Sequence, residues 1–213
     1  MPDQGRKMSN PGADVERLGI FGGTFDPIHV GHLICAEQLM EALHLDLVVF
    51  VPAYSPPHKP ATEPAAGEHR LAMVMLAIEG RSVFRCSDAE IRRGGISYTI
   101  DTVRDLRGTY GAEVELWLLM GQDSYQDVPT WKSPERIAAQ CFFGVARRPG
   151  YGSMVSPAVP GLRSKFVDIT AVDISSTDIR ARIGEGRSIR YLVPPKVGDY
   201  IKANCVYGPA ASG

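Results

Sequence analysis

Leu18-Gly19-Ile20-Phe21-Gly22-Gly23-Thr24-Phe25-Asp26-Pro27-Ile28-His29-Val30-Gly31-His32-Leu33 decides how this chain is read. An apolar run enters a Gly-Gly turn, passes Asp-Pro, and reaches two histidines three residues apart. Asp is a good N-cap and Pro suits the first helical position, so Asp26 and Pro27 predict a helix start. His29 and His32 then fall in the opening turns, at i and i+3, on one face. Strand, glycine turn and helix N-terminus together make a phosphate cradle. The first N–H groups of a helix lack partners within it, and the dipole is positive there. Two imidazoles beside such a cradle exceed what binding alone needs, and they point to chemistry on a phosphate.

The histidine pair has three readings. It can donate to a phosphorane-like transition state and a departing pyrophosphate. It can ligate a metal with Asp26. Or it can cap and pack. Gly31 shifts the balance to the first reading. Glycine inside a helix costs about 1 kcal/mol relative to alanine. Its missing side chain leaves room for a flat base or sugar against the backbone.

Outward from this stretch, apolar strands and helices alternate. Leu18–Gly22 reads as a strand and Ile28–Leu43 as a helix with a stripe of Leu33, Ala36, Leu39, Met40 and Leu43. Leu47–Pro52 is a buried strand. A proline-rich loop follows, carrying Pro56-Pro57-His58-Lys59. Glu68–Glu79 predicts a helix with Leu71, Val74, Met75 and Ile78 on one face. Val83–Cys86, Glu115–Met120, Cys141–Arg147 and Phe166–Ile169 read as strands. Tyr98–Tyr110, Ser133–Gln140, Ser175–Gly184 and Lys196–Asn204 read as helices. Continuous apolar strands alternating with helices mean a mostly parallel sheet covered on both faces. The fold class expected is α/β, a Rossmann-like doubly wound sheet with a C-terminal helical segment. Ligands of such sheets sit beyond the carboxyl ends of the strands, at the switch point. The polar residues converge there: His29 and His32, His58 and Lys59, Gly121 and Asp123, Arg147 and Arg148.

The bulk numbers fit one domain. The chain has 213 residues, 44% apolar and 22% charged, with a formal charge of -1. That balance argues against a broad nucleic-acid surface. The expected organisation is a flexible leader over 1–16, one domain over 17–204 and a tail over 205–213. No apolar run is long enough for a membrane span, and the polar N-terminus lacks a signal-peptide core. Cys35, Cys86, Cys141 and Cys205 are scattered without a CxxC. The first three fall in predicted elements and read as buried thiols, so a cytoplasmic setting is expected. There is no GxGxxG after the first strand and no Walker A pattern.

Four further motifs carry polar chemistry. Ile174-Ser175-Ser176-Thr177-Asp178-Ile179-Arg180 makes a capped helix start with hydroxyls and a guanidinium, either a second phosphate site or a well-capped surface helix. Gly121-Gln122-Asp123-Ser124 ends a strand where Asp can accept from ribose hydroxyls. Trp131, in Pro129-Thr130-Trp131, can stack on a ring or simply pack. Ser97-Tyr98-Thr99-Ile100-Asp101-Thr102 opens a helix.

GGTFDPIHVGH with ISSTDIR resembles the HxGH nucleotidylyltransferase superfamily. PPHK, SYTIDT, GQDS, PTW and RRPGY, in that order, resemble its bacterial nicotinate-nucleotide adenylyltransferase branch over about residues 17–204. His29 supports that branch, because the related pantetheine-phosphate enzymes typically have Thr there. Lys132 departs from it, standing where the family often has Tyr. The resemblance implies transfer of AMP from ATP to nicotinate mononucleotide, with pyrophosphate as the other product. His29, His32 and Arg180 would be catalytic. Gly22, Gly23, Thr24, Phe25, Gly31, Gly121, Asp123, Arg148, Ser175, Ser176 and Thr177 would bind ATP. Lys59, Thr99 and Trp131 would line the pyridine nucleotide's side. Mg²⁺ would ride on ATP and water rather than on protein ligands. Neither nucleic acid nor membrane is an expected partner, and a homo-oligomer is left open. The rival enzymes are a nicotinamide-mononucleotide or dual-substrate adenylyltransferase and a metal-dependent phosphohydrolase. A nucleotide sensor without catalysis is a third rival.

Overall fold

The computed structural model describes residues 15–55, 64–147 and 156–208. Most of the expected leader, the PPHK loop with Lys59, the RRPGY segment from Arg148 onward, and residues 209–213 lie outside these. The elements in chain order are β1 (Arg17–Gly23), α1 (Val30–Leu43), β2 (Leu47–Pro52), α2 (Gly67–Ala77), β3 (Phe84–Cys86), α3 (Ala89–Arg93) and α4 (Thr99–Tyr110). Then come β4 (Glu115–Gly121), α5 (Gln122–Gln126), a 3₁₀ turn at Val128–Thr130, α6 (Pro134–Ala138), β5 (Cys141–Arg147), β6 (Ser164–Asp168), α7 (Ser176–Gly184) and α8 (Pro195–Ala203). The six strands pair in parallel in the order β3-β2-β1-β4-β5-β6. The chain winds outward one way from β1 and then returns to wind the other way from β4. The expected doubly wound α/β sheet is therefore present, and its switch point lies between β1 and β4.

Side chains of a strand alternate between faces, so an all-parallel sheet needs two cores. Leu47, Val49 and Val51 of β2 and Leu116, Leu118 and Met120 of β4 point to the face covered by α4 and α6. Val48, Phe50, Trp117 and Leu119 point to the face covered by α1, α2, α7 and α8. Two glycines let neighbouring side chains lie close against the sheet. A Cβ on Gly144 would stand 2.5 Å from a Leu43 methyl, and one on Gly19 would stand 2.8 Å from methyls of Leu119 and Leu45. Among the described residues no helix is long and apolar enough to cross a membrane.

Some expectations are corrected. α1 begins at Val30, with His29 as its N-cap, rather than at Ile28 behind an Asp26 cap. Asp26 is unavailable for capping because its carboxylate is drawn inward by three other partners. On α2 the buried face is Gly67, Arg70, Met73 and Val74, while Met75 is 57% exposed. The apolar stripe misled because a buried arginine replaces an apolar residue on the inner face. Cys35 and Cys141 are buried as expected, but Cys86 is half-buried at the end of an edge strand. The packed body also runs past residue 204, since Val206 is buried and Tyr207 reaches Asp26.

Candidate active site

A cavity of about 410 Å³ opens at the switch point. The ends of β1 and β4 form its floor, where Gly22 and Gly121 would give a Cβ nothing to touch within 4 Å. His29, Gly31, His32 and Cys35 of α1 and its cap form one wall. Asp123 and Ser124 of α5 form another. Thr170 to Ser176, leading into α7, form the third. The structure thus brings together ten of the expected residues: Gly22, Gly23, Phe25, His29, Gly31, His32, Gly121, Asp123, Ser175 and Ser176.

The loop that carries the histidines is fastened from below by Arg70. Its side chain, 1% exposed, donates to the carbonyls of Thr24 (2.8 Å), Ala53 (2.6 Å), Tyr54 (3.1 Å) and Ala65 (2.8 Å). A planar guanidinium suits this task, because its donors fan out in a fixed geometry. Burial lowers its pKa, and the neighbouring Asp26 acts against that shift. Phe25 sits at φ 50°, a left-handed conformation that costs a non-glycine residue roughly 1–2 kcal/mol. Its ring is buried edge-on to Phe21 and His32, with centroids 5.8 and 5.2 Å away, which offsets that cost.

From above, the loop is fastened by the C-terminal third of the chain. Ser176 Oγ donates to the Pro27 carbonyl at 2.8 Å, and the Val30 N–H donates to the Leu192 carbonyl at 3.0 Å. Arg180 Nη1 donates to the Asp26 carbonyl at 2.7 Å and lies 3.4 Å from Asp26 Oδ2. Arg180 Nη2 donates to Thr177 Oγ1 at 3.4 Å. Ser175 caps α7, its hydroxyl accepting from the Asp178 N–H at 3.0 Å.

The two imidazoles stack, with centroids 3.7 Å apart and planes inclined by 27°. The backbone N–H of His29 donates to His32 Nδ1 at 3.2 Å, so His32 does what Glu or Gln does at the third position of a capping box. This fixes a tautomer. Nδ1 accepts, so the neutral ring carries its proton on Nε2. Burial, and secondarily the neighbouring His29, push the His32 pKa from 6.5 down to about 3. His32 is therefore a neutral donor at physiological pH. Gly31 lines the cavity as expected and has a second role. A Cβ there would stand 3.1 Å from His29 Cε1 and Nδ1, so the missing side chain makes room for the His29 ring. Asp26 does not join the pair as a metal ligand, because its carboxylate faces Arg180, Tyr207 and the Ala65 N–H.

Five expected residues are placed outside the cavity lining. The Thr24 carbonyl is taken up by Arg70, Thr177 receives Arg180, and Arg180 itself stands one helical turn behind Ser176. Thr99 opens α4 and Trp131 follows the 3₁₀ turn, both away from that lining. Trp131 and Tyr98 pack against the α4-side core, and the Lys132 ammonium lies 4.0 Å from the Tyr98 ring centre. That cation–π contact is the use this chain makes of its unusual lysine. The Ser97 hydroxyl accepts from the Tyr54 N–H at 2.9 Å, which ties the start of α4 to the end of β2. Glu90, 7% exposed, accepts from the Thr102 hydroxyl below it, and burial raises its pKa. The residues not found from sequence are Arg70, Glu90 and Tyr207. All three are polar groups whose burial depends on distant partners, and only the position of Arg70 among apolar neighbours hinted at it.

Residues 20–182 match the cytidylyltransferase-like family. A protein of Thermomicrobium roseum named as a probable nicotinate-nucleotide adenylyltransferase is 46% identical over 91% of this chain and 92% of its own length. One of Thermus thermophilus with the same name is 44% identical over 90% and 99%. The fold is also that of the Plasmodium falciparum nicotinic acid mononucleotide adenylyltransferase solved with NaAD. That structure superposes with a TM-score of 0.72 at 18% identity, over 90% of this chain and 97% of the other. On its sequence and its fold alike, the chain belongs to the cytidylyltransferase-like family, among the nicotinate-nucleotide adenylyltransferases.

Proposed function

We propose that the protein transfers the adenylyl group of ATP to nicotinate mononucleotide, giving nicotinate adenine dinucleotide and pyrophosphate, a step of NAD biosynthesis. The observation that carries this reading is the neutral, backbone-aimed His32 stacked on His29 at the switch-point cavity. A phosphate oxygen of the mononucleotide attacks the α-phosphorus of ATP. The new P–O bond forms as the bond to the bridging oxygen of pyrophosphate breaks. The nucleophile is already an anion, so no base is required, and catalysis reduces to positioning and charge stabilisation. His32 donates from Nε2 to the reacting phosphates, and His29 donates beside it. Charge grows on these oxygens in the transition state, so preorganised donors there are worth most.

Backbone around Gly22 to Phe25 and the start of α7 cradle the phosphates, with Ser175, Ser176 and Thr177 contributing hydroxyls. Arg180 faces the β,γ end with the N–H groups that Asp26 does not use. Asp123 accepts from the ribose. Thr99 and Trp131 line the acceptor's side beyond β2. Among the described residues no group of three or more His, Cys, Asp and Glu is placed to hold a metal ion. Mg²⁺ is assigned to the triphosphate, as part of the substrate, because a nucleotide's magnesium is held mainly by phosphate oxygens and water. Free, scattered thiols fit a reducing, cytoplasmic setting.

The test is incubation with MgATP and each pyridine mononucleotide, with products identified by mass. The acid is expected to give its dinucleotide and pyrophosphate in equal amounts. Hydrolysed ATP without a dinucleotide refutes the reading, and equal use of the amide refutes the choice of acceptor.

A further inference from the structure

Asp26 is 6% exposed, and its carboxylate meets three partners from distant parts of the chain. Oδ1 accepts from the Ala65 N–H at 3.1 Å and from the Tyr207 hydroxyl at 2.7 Å. Oδ2 faces Arg180 Nη1 at 3.4 Å. Tyr207 is carried in by the segment after α8, beside Val206, which is buried in the core. Burial and the adjacent carboxylate push the phenol's pKa up, well beyond its ordinary value, so the phenol stays a donor and Asp26 the acceptor.

We propose that Tyr207 is a positioning residue for adenylyl transfer, acting through Asp26 to hold Arg180 at the ATP side of the cavity. Two donors on Oδ1 fix the plane of the carboxylate and keep Oδ2 turned to the guanidinium. Without the phenol, Oδ1 keeps only the Ala65 N–H. The carboxylate then rotates, and Arg180 loses the direction in which its remaining N–H groups face the triphosphate. Arg180 is part of α7 and Tyr207 follows α8, so the contact also locks these two helical segments to the histidine loop. The inference rests on the adenylyl-transfer reading of the site.

Steady-state kinetics with MgATP and nicotinate mononucleotide varied in turn reads this link in the full chain. Wild-type turnover is measured first, since its absence refutes the adenylyl-transfer reading itself. Tyr207→Phe is expected to raise the KM for ATP about tenfold, as loss of one charge-assisted link does. The KM for the mononucleotide stays unchanged. In an Arg180→Ala background, Tyr207→Phe adds nothing. Asp26→Asn, which keeps the side chain's shape, reproduces the ATP-specific rise and carries the test should Tyr207→Phe fail to fold. Tyr200→Phe, on α8, removes a hydroxyl bonded to His69 of α2 and leaves both KM values unchanged. The proposal is overturned if either Tyr207→Phe or Asp26→Asn leaves the KM for ATP as in wild type, or raises both KM values alike. It is equally overturned if the effect of Tyr207→Phe persists without Arg180.

Discussion

Replacing His32 with asparagine separates its proton chemistry from its place in the fold. Asn Oδ1 stands close to where His32 Nδ1 stands, so it can still accept the His29 N–H that now reaches Nδ1 at 3.2 Å. What disappears is the Nε2–H donor and the titrating ring. Burial and His29 lower the His32 pKa from 6.5 to about 3, so the folded protein refuses a proton that the unfolded chain takes up. Between those values the unfolded state holds one more proton, and stability falls as pH falls. The slope is about 1.4 kcal/mol per pH unit, which makes about 2 kcal/mol between pH 6.5 and pH 5. For a chain of this length that corresponds to about 4–8 °C in Tm. Urea unfolding of wild type and His32→Asn at about pH 7, 6 and 5 reads the difference, and other titrating groups cancel between the two proteins. The wild type should lose about 2 kcal/mol more than the variant over that range. At pH 7 the variant should fold but lose about 10²–10³ in kcat, as removal of a transition-state donor does. Parallel stability slopes in the two proteins would show that His32 is not held neutral by the fold.

Arg180→Ala should weaken ATP and pyrophosphate binding while leaving AMP nearly unaffected in calorimetry, and Arg180→Lys should restore only part because the fork is lost. Arg70→Met should destabilise the protein by several kcal/mol in denaturant unfolding, at about 1–3 kcal/mol for each buried carbonyl left without a donor. Gly31→Ala should reduce kcat even though alanine is about 1 kcal/mol the better helix former, because its methyl meets the His29 ring. Thr99→Ala should erode preference for the acid over the amide in kcat/KM, and Trp131→Ala should lower both alike, because stacking does not discriminate.

The doubly wound sheet was legible because each strand is a short apolar run and each helix interrupts it with period. The end of β1 and the start of α7, which line the cavity, were legible because glycines and hydroxyls announce turns and caps locally. Ser175 caps α7 as its sequence implies. The start of α1 was not legible. Asp26 looks like a cap until its partners are known, and these lie 39, 154 and 181 residues away along the chain. Arg70 reads as a surface charge for the same reason, since three of the four carbonyls it binds come from the ends of β1 and β2. Of the three readings of the histidine pair, capping is present in the geometry, made by rings that also line the cavity. His32 can be aimed because it caps.

In the proposed reaction one direct, in-line displacement occurs at the α-phosphorus, with the histidines as donors rather than nucleophiles. The stereochemical course with a single diastereomer of ATP carrying sulfur on the α-phosphorus tests it most directly. One displacement inverts the configuration at phosphorus in the dinucleotide product, and inversion is the result expected. Retention would mean two displacements through an adenylylated side chain, and would contradict the account.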